Sequence, residues 1–585
     1  MLGPLASNME LPTRLNAMLA GKEGSTRQKA ARLVVDLALT SGAKEFVKVS
    51  HSHVSGVSVI TGGHGLRRFL SDLANDGTVV IPTTLNSAGC DKRRMEEMDI
   101  EYPDFLEQQF EIIQAYSSLG IEATLSCTPY DRGVENESGI ASWSESNAVA
   151  FTNSWTDLIT NRESGLSALA TALTGYAPRW GLHLPENRVP NIVVDVNCEL
   201  TTLSDWSVLG DWIGKQVRPD WDLTYGPMPF IRGLPKYVSF ASRKALTAAA
   251  ANYGCPMLWA EGLTESPDIS KVVNELKFTA EHMSSRYSEL APKGQVDLVV
   301  IGCPQASLEE IRITASAVRA HCEMGVRIPN QRLWVFTSAI NYDLAEADGS
   351  IGILEEAGAV VLQDTCPEVT PYNRTHYNYL MTNSLKAEHY LTSGLNRMPT
   401  CVGSIFDCVA HAFNPSLSKG PTPTLESKKQ PQHASAKTHQ TGQCTMVGAG
   451  LDSQGDWSVE GEAMVSDVAI TYLGYVNRDS GAIEEFGHPL DGRCIEDKIL
   501  IYPKGSGSTV APYVLMGLIY TGKGPKAIVN RDVCSLTLPA CSLLEVPYCH
   551  GFDIDPCMAV NDGDKIRVER INGVVTVTIL DRVEG

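Results

Sequence analysis

Between Ser25 and Gly42 the apolar residues Ala30, Leu33, Val34, Leu37 and Ala38 fall at i, i+3, i+4, i+7 and i+8, the spacing of one helix face. Ser25 or Thr26 is placed to cap this helix, and Gly42 to stop it in the left-handed region. A strand over 46–49 then runs into His51-Ser52-His53-Val54-Ser55-Gly56. Four strand-like stretches follow the same theme. Thr78 to Pro82 leads to Cys90, Ile121 to Ser126 to Cys127-Thr128-Pro129, Val296 to Ile301 to Gly302-Cys303-Pro304, and Ala359 to Leu362 to Asp364-Thr365-Cys366-Pro367. Runs of this kind are strands covered on both faces, as in parallel sheets. Ser307-Leu308-Glu309-Glu310 is a capping box opening a helix to His321, and Asn383 to Tyr390 reads as another helix start. The first two-thirds is therefore α/β.

From Asn414 to Gln443 the pattern lapses into Pro, Ser, Thr, Gln and Lys without an aromatic residue, which predicts a linker. Beyond it, Val465 to Leu473, Lys498 to Tyr502 and Ala527 to Asn530 read as strands, and Pro512 to Thr521 as a helix. Lys565 to Ile579 reads as a hairpin turning at Asn572-Gly573. The expected organisation is a large α/β part over 1–413, a linker over 414–443 and a small β-rich domain over 444–585. Two to four domains suit a chain of 585 residues.

A net charge of −20 argues against a nucleic-acid partner. No apolar run reaches membrane-spanning length, and Met1 to Glu10 lacks a secretory pattern, so a cytoplasmic enzyme without membrane attachment is expected. The 15 cysteines form no CxxC pair, which disfavours zinc ribbons and thioredoxin-like chemistry.

Ligands of open α/β sheets gather beyond the carboxyl ends of strands, where Cys90, Cys127, Cys303 and Cys366 are expected. Cysteines assembled from distant strand ends can hold an iron–sulfur cluster without CxxC spacing. Pro503-Lys504-Gly505-Ser506-Gly507-Ser508 follows a strand, and its glycines let backbone N–H groups converge on a phosphate or a hydroxyl. Asn161 and Arg162 suit a substrate carboxylate, and Lys386 a substrate or a cluster-side acid role. His51 and His53, at i and i+2, point one way and permit a metal site, or line a pocket.

Taken together, these motifs resemble the aconitase X family. The resemblance rests on Gly21-Lys22-Glu23-Gly24, His53 to Ser58, Pro82 to Asn86, Cys127 to Tyr130, Gly302 to Pro304, Asp364 to Pro367, Asn383 to Tyr390, Gly461-Glu462-Ala463 and Pro503 to Ser508. It implies an aconitase-like multi-layer α/β catalytic part with a small swivelling domain. It also implies a hydro-lyase with a small-molecule substrate, an iron–sulfur cluster of 2Fe-2S type, and Ser508 as base. Cys303 and Cys366 are the implied ligands, with Cys127 or Cys90 as third. His53, Ser55, Thr84, Asn86, Asn161, Arg162 and Lys386 are implied around the substrate. Single-chain members dehydrate cis-3-hydroxy-L-proline, and two-subunit members mevalonate-5-phosphate. The one-chain arrangement and Ser87 to Asp91 point to the former. A phosphorylated substrate cradled by the Gly-Ser loop, a non-catalytic iron-binding regulator, and a zinc hydrolase built on His51 and His53 are the competing readings.

Overall fold

Three parallel sheets form the large part of the chain, and two of the four strand-like stretches, 296–301 and 359–362, become strands of one of them. The computed structural model describes residues 9–100, 104–133, 138–218, 221, 223–425 and 445–583. In the first body, helix α1 (Ser25–Ser41) precedes β1 (His51–Val54), α2 (Val59–Leu73), β2 (Thr83–Leu85), β3 (Ser138–Trp143), β4 (Asp157–Ile159) and α3 (Gly165–Thr174). The sheet order is β2-β1-β3-β4, all parallel. A second parallel sheet joins β5 (Ile192–Asn197), β6 (Pro229–Arg232), β7 (Trp259–Ala260) and β8 (Glu275–Thr279) in the order β8-β5-β6-β7, with α4 (Phe240–Ala251) against it.

The third sheet is parallel with order β11-β10-β9-β12-β13. It comprises β9 (Leu298–Ala306), β10 (Leu333–Thr337), β11 (Val360–Leu362), β12 (Leu380–Thr382) and β13 (Thr400–Val402). Helix α5 (Leu308–Cys322) carries the capping box predicted at Ser307 and Glu310. Helix α6 (Leu385–Thr392) follows β12.

The C-terminal part closes a barrel of β14 (Thr445–Gly450), β15 (Trp457–Val465), β16 (Ile499–Tyr502), β17 (Ala527–Asn530), β18 (Tyr548–His550), β19 (Lys565–Ile571) and β20 (Val574–Asp581). Their order is β14-β18-β17-β16-β15-β19-β20. Helix α7 (Ala511–Tyr520) lies between β16 and β17. The β19–β20 turn has Asn572 and Gly573 at φ 52° and 84°, the left-handed pair that a type I′ hairpin needs.

Four local expectations are corrected. Thr78 to Pro82 is not a strand: Val79 and Val80 donate to the carbonyls of Leu119 and Ala172, and sheet pairing begins at Thr83. Ile121 to Ser126 makes only a bridge from Glu122 to Thr84, because Leu125 at φ 47° breaks the extended path. The strand expected over Val465 to Leu473 is broken: Val465 ends β15 opposite Ile501, Ser466 turns the chain through its bonds with Val468, and only Ile470–Thr471 pairs again, with Gly505–Ser506. The first turn of α1 is capped not by Ser25 or Thr26 but by Asp76, which accepts from both backbone N–H groups at 2.6 and 3.1 Å. Residues 426–443 of the expected linker lie outside the described residues.

The barrel packs against the first body through α7 and α2. Gly56, at φ 94°, has no side chain because Tyr513 occupies that space: a Cβ would stand 2.1 Å from its ring, and the Tyr513 hydroxyl donates to Ser55 O at 3.0 Å. Asp36 of α1 makes a second junction, accepting from the hydroxyls of Ser453 and Ser542 in the barrel. Burial pushes its carboxyl up to about 6, against the pull of those hydroxyls. Asp36 therefore favours the fold when protonated, and its contribution is lost as pH rises from about 4 through 6, on the order of 3 kcal/mol by linkage. Thermal unfolding of Asp36→Asn, subtracted from wild type, is expected to show that slope between pH 4 and 6. A flat difference would show that Asp36 does not titrate there.

Candidate active site

A cavity of about 530 Å³ lies where the first body, the third sheet and the barrel meet. Cys127, Cys303 and Cys366 all line it. Cys303 is in β9, where Gly302 at φ 108° redirects the strand: a Cβ there would meet Phe336 O at 2.1 Å. Burial raises the Cys127 thiol to about 12 and lifts Cys303 and Cys366 well above the thiol range. Cys366 feels the charge of Cys127, and Cys303 that of Cys366. As free thiols they are protonated and poorly nucleophilic, and a bound cation is what would make them thiolates.

Cys90 stands apart from these three. Its shift, also to about 12, comes from burial and from Asp91 and Asp364, and it packs among Met98, Phe105 and Trp334 outside the cavity lining. Of the two cysteines between which the sequence left the choice open, Cys127 lines the cavity with Cys303 and Cys366, and Cys90 does not. Among the described residues no group of three or more His, Cys, Asp and Glu is gathered for a single metal ion. A polynuclear cluster spaces its cysteines more widely, and three thiols on one cavity wall fit that donor set.

Two buried carboxylates that sequence reasoning missed flank Lys386. Its Nζ lies 3.2 Å from Glu145 and 3.5 Å from Glu368. Burial pushes the Glu145 carboxyl up, but Lys386 and hydrogen bonds from Asn147 and Asn86 outweigh it and hold Glu145 below the ordinary carboxylate range. Burial wins at Glu368, whose carboxyl is raised despite Lys386. Burial opposes the Lys386 ammonium, yet the two carboxylates hold its pKa well above the usual. Cys303 Sγ donates to Glu368 Oε1 at 3.0 Å, so the thiol wall and the charged trio are one unit. The two carboxyls are thus pushed apart, Glu145 toward its charged form and Glu368 toward its protonated one.

Ser508 lines the cavity from the barrel side, three residues ahead of α7. Val510 N donates to its Oγ at 3.4 Å, and Gly507 at φ 88° sets the turn before it. The positive end of the helix dipole favours negative charge at this hydroxyl. Thr509 fixes the loop by donating to Ser144 O at 2.7 Å.

The other expected substrate residues divide. Ser55, Asn86 and Arg162 line the cavity. The Ser55 and Ser87 hydroxyls and the Arg162 Nε are buried without a hydrogen-bond partner among the described residues, an arrangement that a polar ligand would complete. His53 and Thr84 bond each other at 2.8 Å behind the wall, not in it. Asn161 is likewise turned away and clamps a loop, donating to Trp180 O at 3.1 Å and accepting from Leu182 N at 2.7 Å. The histidine metal site does not assemble: His51 Nδ1 accepts from Trp143, His53 Nδ1 is bonded to Thr84, and among the described residues no group of three or more His, Cys, Asp and Glu gathers around them.

Residues 8–186 match the aconitase X first domain, 296–414 its third domain and 453–577 its swivel domain. The chain belongs to the aconitase X family. It is 36% identical over 389 residues to the phosphomevalonate dehydratase large subunit of Methanothermobacter thermautotrophicus, covering 64% of this chain and 92% of that one. It is 31% identical over 420 residues to the cis-3-hydroxy-L-proline dehydratase of Pseudomonas aeruginosa, covering 68% of each. A further 123 residues are 34% identical to the phosphomevalonate dehydratase small subunit of Methanococcoides burtonii, 21% of this chain and 88% of that one. The crystal structure of Thermococcus kodakaraensis aconitase X, holo-form, superposes with a TM-score of 0.62 at 30% identity, covering 69% of this chain and all of that one. These relatives are dehydratases, and this aconitase X chain is an enzyme of that hydro-lyase class. Its fold is the aconitase X-like α/β arrangement with a separate swivel domain. No helix among the described residues is long and apolar enough to cross a membrane.

Proposed function

We propose that this aconitase X chain dehydrates cis-3-hydroxy-L-proline to Δ1-pyrroline-2-carboxylate. The observation that carries the choice of substrate is the charge of the cavity wall. It presents the carboxylates Glu145, Glu368 and Glu485 against two permanent cations, Arg162 and Lys386. Lys386 is committed between two of those carboxylates, whereas Arg162 makes no ion pair with a described residue. Arg162 is thus the one wall cation not already paired with a carboxylate, which suits a substrate carrying a single carboxylate. A substrate with both carboxylate and phosphate calls for more cations. The counterparts of both phosphomevalonate dehydratase subunits also lie on one chain here.

In this reading Arg162 takes the substrate carboxylate and the Ser55 and Ser87 hydroxyls complete its polar contacts. Ser508 Oγ, as alkoxide, removes the proton next to the carboxylate, and the electron pair of that C–H bond forms the ring double bond. Glu368 supplies the proton that leaves with the hydroxyl as water. Glu145 stays ionised and holds Lys386 in place. An iron–sulfur cluster held by Cys127, Cys303 and Cys366 would supply Lewis acidity toward the hydroxyl. The enamine released tautomerises to the cyclic imine.

Anaerobic reconstitution followed by dehydration assays on cis-3-hydroxy-L-proline and on mevalonate-5-phosphate tests the proposal. Turnover of the amino acid is expected, and exclusive turnover of the phosphate ester would overturn it. That second reading draws on the higher identity to the phosphomevalonate enzymes. Arg162→Gln is expected to raise KM about 10–100-fold, the loss of a charge-assisted hydrogen bond of about 1.5–3 kcal/mol, with iron content unchanged. An unaltered KM would remove Arg162 from the substrate site.

A further inference from the structure

The three cysteine loops come from distant parts of the sequence, and a single buried side chain ties them together. Gln305 is wholly buried, two residues beyond Cys303 in the same strand. Its Oε1 accepts from Cys127 N at 3.0 Å. Its Nε2 donates to Leu125 O at 3.3 Å and to Thr365 O, next to Cys366, at 3.0 Å. Its own backbone N–H donates to Cys127 Sγ at 3.3 Å. Only an amide offers one acceptor and two donors in this layout. The turn is also held from below. Lys244 of α4 donates to Gln305 O at 2.6 Å and to Pro304 O at 3.4 Å while paired with Glu310, and Glu310 in turn accepts from Ser307 N at 2.8 Å.

We infer that Gln305 is the positioning residue of the cysteine set: its amide holds the Cys127 and Cys366 loops against the Cys303 turn, so that the three thiols are arranged before any iron arrives. Thiols fixed beforehand do not lose loop freedom on binding, so affinity rises and iron escapes slowly. The N–H aimed at Cys127 Sγ stabilises a thiolate there. The inference rests on the reading that these cysteines hold an iron–sulfur cluster.

The test compares wild type with Gln305→Met, which keeps the chain length and removes all three side-chain bonds, and Gln305→Glu, which turns an acceptor toward two carbonyls. Each is reconstituted anaerobically with iron and sulfide. Iron and sulfide per chain, the visible spectrum and the rate of iron loss to a chelator are then read. Both variants are expected to lose iron about 10–100-fold faster than wild type, with an altered spectrum. Lys244→Met, which slackens the turn from below, is expected to show a smaller loss. Wild-type iron content and chelator resistance in a folded Gln305→Met chain would overturn the inference. A wild-type chain that binds neither iron nor sulfide would instead overturn the cluster reading. Hydrogen exchange at the Cys127 amide of the iron-free wild-type chain decides the matter whether or not the variants fold. Protection is expected, and exchange at the free-peptide rate would overturn the inference.

Discussion

Ser508→Ala is expected to lower kcat by about 10²–10⁴-fold while leaving iron, sulfide and the visible spectrum as in wild type. The cysteines stand on the first and third bodies of the chain, and Ser508 on the barrel, so removing one hydroxyl should not disturb the other wall. A serine hydroxyl is a weak base in water, and this site strengthens it in two ways. The Val510 N–H points at Oγ, and α7 begins immediately afterward. Ser506, one turn residue away, is bonded at 2.6 Å to Thr471 and serves as the control. Ser506→Ala should cost far less activity than Ser508→Ala. The decisive readout is exchange of the substrate proton next to the carboxylate with deuterated solvent. Ser508→Ala should abolish it, and exchange at the wild-type rate would show that another group is the base.

Much of this site was legible in the sequence where the signal was local. The Gly-Ser loop, the Cys-Pro turns and the capping box at Ser307 each depend on neighbouring residues, and all three formed. Cys90 and Cys127 could not be separated because both follow apolar runs. What divides them is that Cys90 packs among Phe105 and Trp334, which come from elsewhere in the chain. Asn161 and Arg162 are neighbours in sequence and suggest one site, but successive residues of extended chain face opposite ways. One clamps the Trp180 loop and the other reaches the cavity. Glu145 and Glu368 carried no sequence signal, since their roles come from sharing Lys386 across 241 positions in one case. His53 looked like a ligand or pocket residue and is instead a neutral partner of Thr84.

The shared lysine has the largest expected effect on stability. Lys386→Met should destabilise the fold by about 3–5 kcal/mol at neutral pH, because it leaves buried carboxylates without their cation. Methionine fills similar space and keeps apolar contact with Tyr390, whose ring lies 4.8 Å from the ammonium, so the loss is one of charge more than of packing. The pH dependence distinguishes the two. In wild type Glu145 is held below the ordinary carboxylate range, so its contribution is present at neutral pH and lost as pH falls through that lowered value. Without Lys386, burial and mutual repulsion push both Glu145 and Glu368 upward, and each favours the fold only when protonated. The deficit of the variant should therefore be greatest at neutral pH and shrink as pH falls toward 5, where protons replace the missing ammonium. Urea unfolding midpoints of both chains at pH 7.5 and pH 5 measure this directly. A deficit of the same size at both values would mean that packing, not the shared charge, is what Lys386 contributes. A narrowing deficit would show that the charge Lys386 brings to the buried carboxylates, not its packing, is what stabilises the fold.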